Sequence, residues 1–159
     1  REYCEQAAVQ FAGILPHPVI ALRDVSWAEF EQNRDRIEPR SAQYAAHIVG
    51  EIARVEKGVE LLRDGNAEAF GTLLFESHQS SIDNFENSCP ELDIVVDAAR
   101  EAGALGARLS GGGFGGSAIA MVRSNDAGII GERIKAICKT KKIDAEILNV
   151  IPSAGAHLV

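Results

Sequence analysis

The sequence is poor in several residue types that carry common chemistries. Aromatic residues make up only 6% of its 159 positions, and there are three cysteines and four histidines. Cys4, Cys89 and Cys138 lie far apart with no C-x-x-C, and no H-x-x-x-H pair occurs among His17, His47, His78 and His157. That pattern argues against a disulfide framework or a zinc cluster and reads the thiols as structural. Basic residues are outnumbered, 16 Lys+Arg against 23 Asp+Glu, for a net charge of −7. An acidic surface of this kind excludes a broad nucleic-acid or anionic-membrane footprint. No apolar run approaches the roughly 20 residues of a bilayer span. A charged, then apolar, then small-residue leader is also missing, so the cytoplasm is the default expectation.

What is present suits one globular domain over 1–159, with 46% apolar and 25% charged residues. The first three fifths read as helix. Cys4, Ala7, Ala8 and Phe11 form a stripe at helical spacing, stopped by Gly13. The first helix starts at Arg1 with no cap, as expected of a chain cut from a longer one. Pro16-His17-Pro18 forces an extended connection. Ser26 and Glu29 form a capping box for a short helix ending near Pro39. Between Ser41 and Arg63, Tyr44, Ile48, Ile52, Val55, Val59 and Leu62 are spaced close to a heptad seam, which predicts a long helix buried along that line. Asn66 is placed to cap a fourth helix and Pro90 to open a fifth, closed by Gly103. The last two fifths change character: residues 107–109 and 117–122 read as short strands, 127–139 as a helix and 144–150 as a further strand. Helices first and a small sheet later predict an α+β fold.

Between the two short strands lies the strongest local signal. Six of the 15 glycines fall within residues 106–117, and Gly111, Gly112, Gly113, Gly115 and Gly116 surround Phe114. Glycine runs allow positive φ and let backbone N–H groups approach an anion with no Cβ in the way. Gly111-x-Gly113-x-x-Gly116 matches a dinucleotide fingerprint in form only, because a strand rather than a helix follows it. A Walker A loop is excluded, since Ser117 and no lysine follows Gly116. A ligand-free glycine hairpin remains as the alternative to a phosphate cradle. Other polar groups favour structure: Ser77-His78 with Ser80 and Ser81 as local hydrogen bonding, His47 and Glu51 as an inter-helix pair, and Asp93 and Asp97 as a solvated face.

Residues 106–117 (GARLSGGGFGGS) resemble the third signature motif of the galactokinases, members of the GHMP small-molecule kinase superfamily, which typically reads GARMTGGGFGGC. Leu109, Ser110 and Ser117 are the departures. The resemblance continues through Arg1-Glu2-Tyr3-Cys4, His47 to Ile52, Phe70-Gly71-x-Leu73, Glu76-Ser77-His78, Ser88 to Asp93 and Ala154-Gly155-Ala156, in the family's order. It implies a C-terminal lobe: helices on a small antiparallel sheet of ferredoxin-like kind. It also implies a parent reaction that moves the γ-phosphate of ATP, with Mg²⁺, to the anomeric hydroxyl of galactose. The family's catalytic Asp, its partner Arg, the sugar signature and the ATP loop belong to an N-terminal lobe, so no catalytic or metal-binding residue is carried over. Carried over are Ser110, Gly111, Gly112, Gly113, Phe114, Gly115 and Gly116, as the wall of the nucleotide cleft. The implied partners are ATP, galactose and the N-terminal lobe. A dimer through the exposed cleft face or a free sheet edge is a further expectation. A sugar and ATP sensor, a sibling kinase for another sugar and a stand-alone binding module remain alternative readings.

Overall fold

The computed structural model describes residues 1–151 and 153–155, and side-chain caps or a first-turn proline open most of its helices. Helix α1 (Glu2–Ala12) buries Ala7, Ala8 and Phe11. Helix α2 (Trp27–Asn33) opens on the predicted capping box: Ser26 Oγ accepts from Glu29 N at 3.3 Å, and Ser26 N donates to Glu29 Oε2 at 2.9 Å. Those hydrogen bonds from Ser26, joined by His17, hold the Glu29 carboxyl down at about 2. Helix α3 (Pro39–Arg63) begins two residues earlier than expected, because Pro39 suits a first helical turn and the Glu38 carboxylate caps Arg40 N and Ser41 N at 2.9 and 2.6 Å. Asn66 Oδ1 accepts from Ala69 N at 3.1 Å to start α4 (Ala67–Ser80), and a π-turn (Ser81–Phe85) continues it. Helix α5 (Pro90–Ala102) ends on left-handed Gly103, and α6 (Ala127–Thr140) follows the sheet.

The buried face of α3 is not the predicted seam. Ser41, Ala42, Ala45, Ala46, Val49 and Gly50 face inward, while Val55 is 65% exposed and Val59 and Leu62 are open to solvent. Small residues win because they let α1 and α2 approach closely: a Cβ on Gly50 would touch the Trp27 ring at 3.3 Å. The core this creates holds Phe11, Phe30, Leu22, Val25 and Val49.

Strands β1 (Gly106–Ser110) and β2 (Ser117–Met121) pair antiparallel, with Gly106 opposite Met121 and Ser110 opposite Ser117. Helix α4 crosses β1 backbone to backbone, since a Cβ on either Gly71 or Gly106 would collide with the other element's main chain. A second core of Val96, Ala98, Ala99, Ala102, Ala107, Ile130, Ile134 and Cys138 joins α5 and α6 to the sheet. The α+β class therefore holds, as helices against a two-stranded antiparallel sheet. Residues 144–150 correct the strand expectation. They form no strand, although Ile143, Ala145 and Ile147 do turn inward against the second core. A cleft of about 850 Å³ separates them from β2, floored by Leu92, Val95, Ile130 and Ile134. The alternation reports that burial, and backbone pairing is what the cleft denies. Among the described residues no helix is long and apolar enough to cross a membrane. The Ala154-Gly155-Ala156 resemblance ends outside the described residues.

Candidate functional site

The glycine run is the connection between β1 and β2, and its backbone does what the composition suggested. Gly111, Gly113, Gly115 and Gly116 have φ of 81°, 84°, 128° and 92°, and Phe114 itself is left-handed at 60°. Phe114 stands at the tip, 76% exposed, and Ser110 and Ser117 flank the loop at its base, both exposed. A non-glycine residue in that conformation costs on the order of 1 kcal/mol or more, so the surroundings must hold it there.

They do so through one residue. Phe114 N donates to the Asn87 carbonyl at 2.7 Å, and Asn87 Nδ2 donates to the Gly112 carbonyl at 3.2 Å. Gly113 lies directly over that Asn87 carbonyl, where any Cβ would collide with it. The N–H groups of Gly111, Gly112, Gly113, Gly115 and Gly116 find no acceptor among the described residues. Four of these five glycines are at positive φ, a conformation that backbone anion-binding turns use. Sequence reasoning missed Asn87. Nothing local connects it to Gly112, 25 positions onward.

Beneath the loop lies a second, interior polar layer. Leu109 N donates to His78 Nδ1 at 3.2 Å, which puts the ring proton on Nε2, 3.3 Å from Asp93 Oδ1. Burial pushes the His78 ring below its usual value despite the pull of Asp93 and Asp97. Glu51 accepts from Ser77 Oγ at 2.7 Å and Arg54 Nε at 2.6 Å, and Arg108 Nη1 stands 3.7 Å away. Burial alone would raise the Glu51 carboxyl, but these donors and the Arg54 charge bring it below the ordinary range. His47 Nδ1 meets Ser80 Oγ at 3.0 Å and stacks on Phe85, with burial lowering its basicity. Ser77, His78, Ser80, His47 and Glu51 thus act as ties between α3, α4 and β1. Asp93 is more than a solvated group, because it also accepts from Ser88 Oγ.

Comparison with known proteins places this arrangement. The family profile described as GHMP kinases C terminal matches residues 59–140. A galactokinase from Streptomyces coelicolor is 40% identical over 160 residues, which is 99% of this chain and 40% of that protein. A Homo sapiens galactokinase is 43% identical over 108 residues, 67% of this chain and 28% of the relative. Among solved structures, a Lactococcus lactis galactokinase complexed with galactose superposes with a TM-score of 0.81 at 30% identity, covering 90% of this chain and 37% of that one. A Leishmania major mevalonate kinase in complex with R-mevalonate gives 0.55 at 28% identity, over 74% of this chain and 34% of its own. The chain therefore spans about two fifths or less of the length of these relatives. Motif, loop geometry and profile agree, and the chain belongs to the GHMP kinases as their C-terminal domain.

Proposed function

We propose that the chain works as the C-terminal domain of a galactokinase, and that its glycine loop forms the phosphate-side wall of a cleft completed by an N-terminal domain. The observation that carries this reading is the loop itself: five glycines in six positions, four of them at positive φ, with N–H groups that find no acceptor within the described residues. Phosphoryl transfer depends mostly on positioning and on stabilising charge over the transferred group. Backbone donors held in a preset row do both without reorganising. ATP is the phosphate donor in this reading and galactose the acceptor. The preference for galactose rests on the higher structural similarity to the Lactococcus lactis galactokinase, 0.81 against 0.55 for the mevalonate kinase.

Mg²⁺ would neutralise phosphate charge when bound with ATP. Among the described residues no group of three or more His, Cys, Asp or Glu is arranged to hold a metal ion. The free edge of β2, with its 850 Å³ cleft, is the proposed docking place for the N-terminal domain or, in its absence, for a second copy of the chain. The cytoplasm is the proposed compartment.

The test is a coupled assay of ADP formation by the full-length protein with MgATP and candidate sugars. Galactose-dependent ADP formation is expected. The 159-residue chain alone should be silent, because the resemblance assigns the catalytic Asp, its partner Arg and the ATP loop to the N-terminal lobe. A full-length protein that turns over mevalonate or N-acetylgalactosamine but not galactose would overturn the substrate assignment.

A further inference from the structure

The glycine loop touches the body of the domain through Asn87, and Asn87 is itself held by an arrangement at some distance from any phosphate. Residue 86 breaks the helical path: Glu86 is left-handed at φ 56°, at the end of the π-turn. A glutamate does not choose that conformation unaided. Its carboxylate collects donors from one face of α3. Arg40 reaches it with both terminal nitrogens, Nη1 at 2.7 Å to Oε1 and Nη2 to Oε2. Tyr44 Oη donates at 3.0 Å and Gln43 Nε2 at 3.4 Å, the latter also donating to Asp83 O at 2.8 Å. The Arg40 guanidinium also lies against the paired rings of Tyr3 and Tyr44, 5.7 and 5.1 Å from their centres, which are 5.1 Å from each other. This left-handed turn delivers Asn87 N to Ser81 O at 3.2 Å and aims the Asn87 carbonyl at Phe114 N.

We propose that the Arg40–Glu86 pair, acting through Asn87, is the anchor that sets the conformation of the glycine loop, so that Arg40, Glu86 and Asn87 are positioning residues for the bound phosphate. This rests on the phosphate-binding reading of the loop. The pair lies on the surface, where an ion pair adds little to global stability. Its bidentate geometry, the two rings packed beside it and the extra hydroxyl donor make sense as a device for direction rather than for folding energy. The route is continuous: α3 holds the carboxylate, the carboxylate holds the left-handed turn, the turn places one carbonyl, and that carbonyl holds the N–H of Phe114.

The experiment uses the full-length protein and four variants. Arg40→Gln removes the bidentate donor. Glu86→Gly removes the carboxylate while supplying the residue that adopts φ 56° most readily, so it separates the ion pair from the backbone turn. Arg40→Lys keeps the charge and loses the fork. Gly113→Ala is the control that disturbs the loop directly. Amide exchange of the 110–117 segment and of Phe11 in α1 is followed alongside kcat/KM for MgATP. Arg40→Gln and Glu86→Gly should speed exchange at Phe114 about tenfold while Phe11 is unchanged, since only local opening is altered. Both should lower kcat/KM about tenfold or more, because displacement of a positioning element by about 1 Å can cost on that order or more. Arg40→Lys should fall between them and the parent. Unchanged exchange at Phe114, or faster exchange with unchanged kcat/KM, overturns the anchor. If kcat/KM holds in Arg40→Gln but collapses in Gly113→Ala, the anchor alone has failed. If it holds in Gly113→Ala too, the phosphate-binding reading has failed with it.

Discussion

The two halves of the domain solve burial in opposite ways. Helices α1, α2 and α3 close on themselves around Phe11 and Phe30, whose rings lie 6.1 Å apart, with Trp27 5.3 Å from Phe30. The half built from α5, α6 and the sheet has a core of alanine, valine, isoleucine and one cysteine, and one flank of it stays open. Ile119 of β2 and Leu148 line the cleft beside β2 and are exposed, as are Val150 and Ile151 further along the chain. The closed half supplies rigidity, and the open half supplies a surface for something else to complete. The glycine loop belongs to the open half but is gripped from the closed one, through Glu86 and Asn87.

Substitutions can break that contrast. Phe30→Ala in the closed core should cost about 4 kcal/mol, from lost transfer energy and an uncollapsed cavity, measured by urea unfolding. Gly71→Ala, at the crossing of α4 and β1, should cost about 3 kcal/mol, because neither main chain can yield; a cost near zero would mean that α4 is not seated on β1. A smaller loss should appear on acidification. His47 and His78 are held below their ordinary value of 6.5 in the folded chain, so the unfolded chain takes up protons first. Stability is then full above pH 6.5 and falls as pH drops through the folded values. Replacing both by glutamine should flatten that decline and leave the carboxylate loss below 4.5, where the unfolded chain takes up a proton on Glu51 before the folded chain does. His17, raised by its hydrogen bond to Glu29, works in the opposite sense and is present in both proteins. Ser26→Ala should cost about 1 kcal/mol as a lost helix cap. Ile119→Ala should change stability by less than about 0.5 kcal/mol; a loss comparable to that of Phe30→Ala would show the open flank to be covered.

The contrast also explains what could be read without coordinates. Short-range chemistry was legible: the Ser26–Glu29 box, the Asn66 cap, Pro90 and Gly103 as the ends of α5, and the hairpin around the glycines all depend on neighbours a few positions away. The heptad-like line on α3 is a poor guide to its buried face, because close helix packing selects Ala45, Ala46, Val49 and Gly50 over the larger apolar side chains. Residues 144–150 have the alternation of a strand, but alternation records which side chains are buried and says nothing about a partner. For the site, the loop could be identified by composition. Its supports could not, because Asn87 reaches Gly112 over 25 residues and Arg40 reaches Glu86 over 46, through contacts that leave no pattern.

The most direct test of the central claim, that this loop cradles the transferred phosphate, is steady-state galactose phosphorylation by the full-length protein carrying Gly113→Ala, with unfolding measured in parallel. One added methyl group would press on the Asn87 carbonyl at a backbone φ of 84° and displace the donor row. A fall in kcat/KM for MgATP of about a hundredfold, in a protein that still folds, is the predicted result. Unaltered phosphorylation by a folded Gly113→Ala protein would contradict the account and leave the glycines as nothing more than a turn.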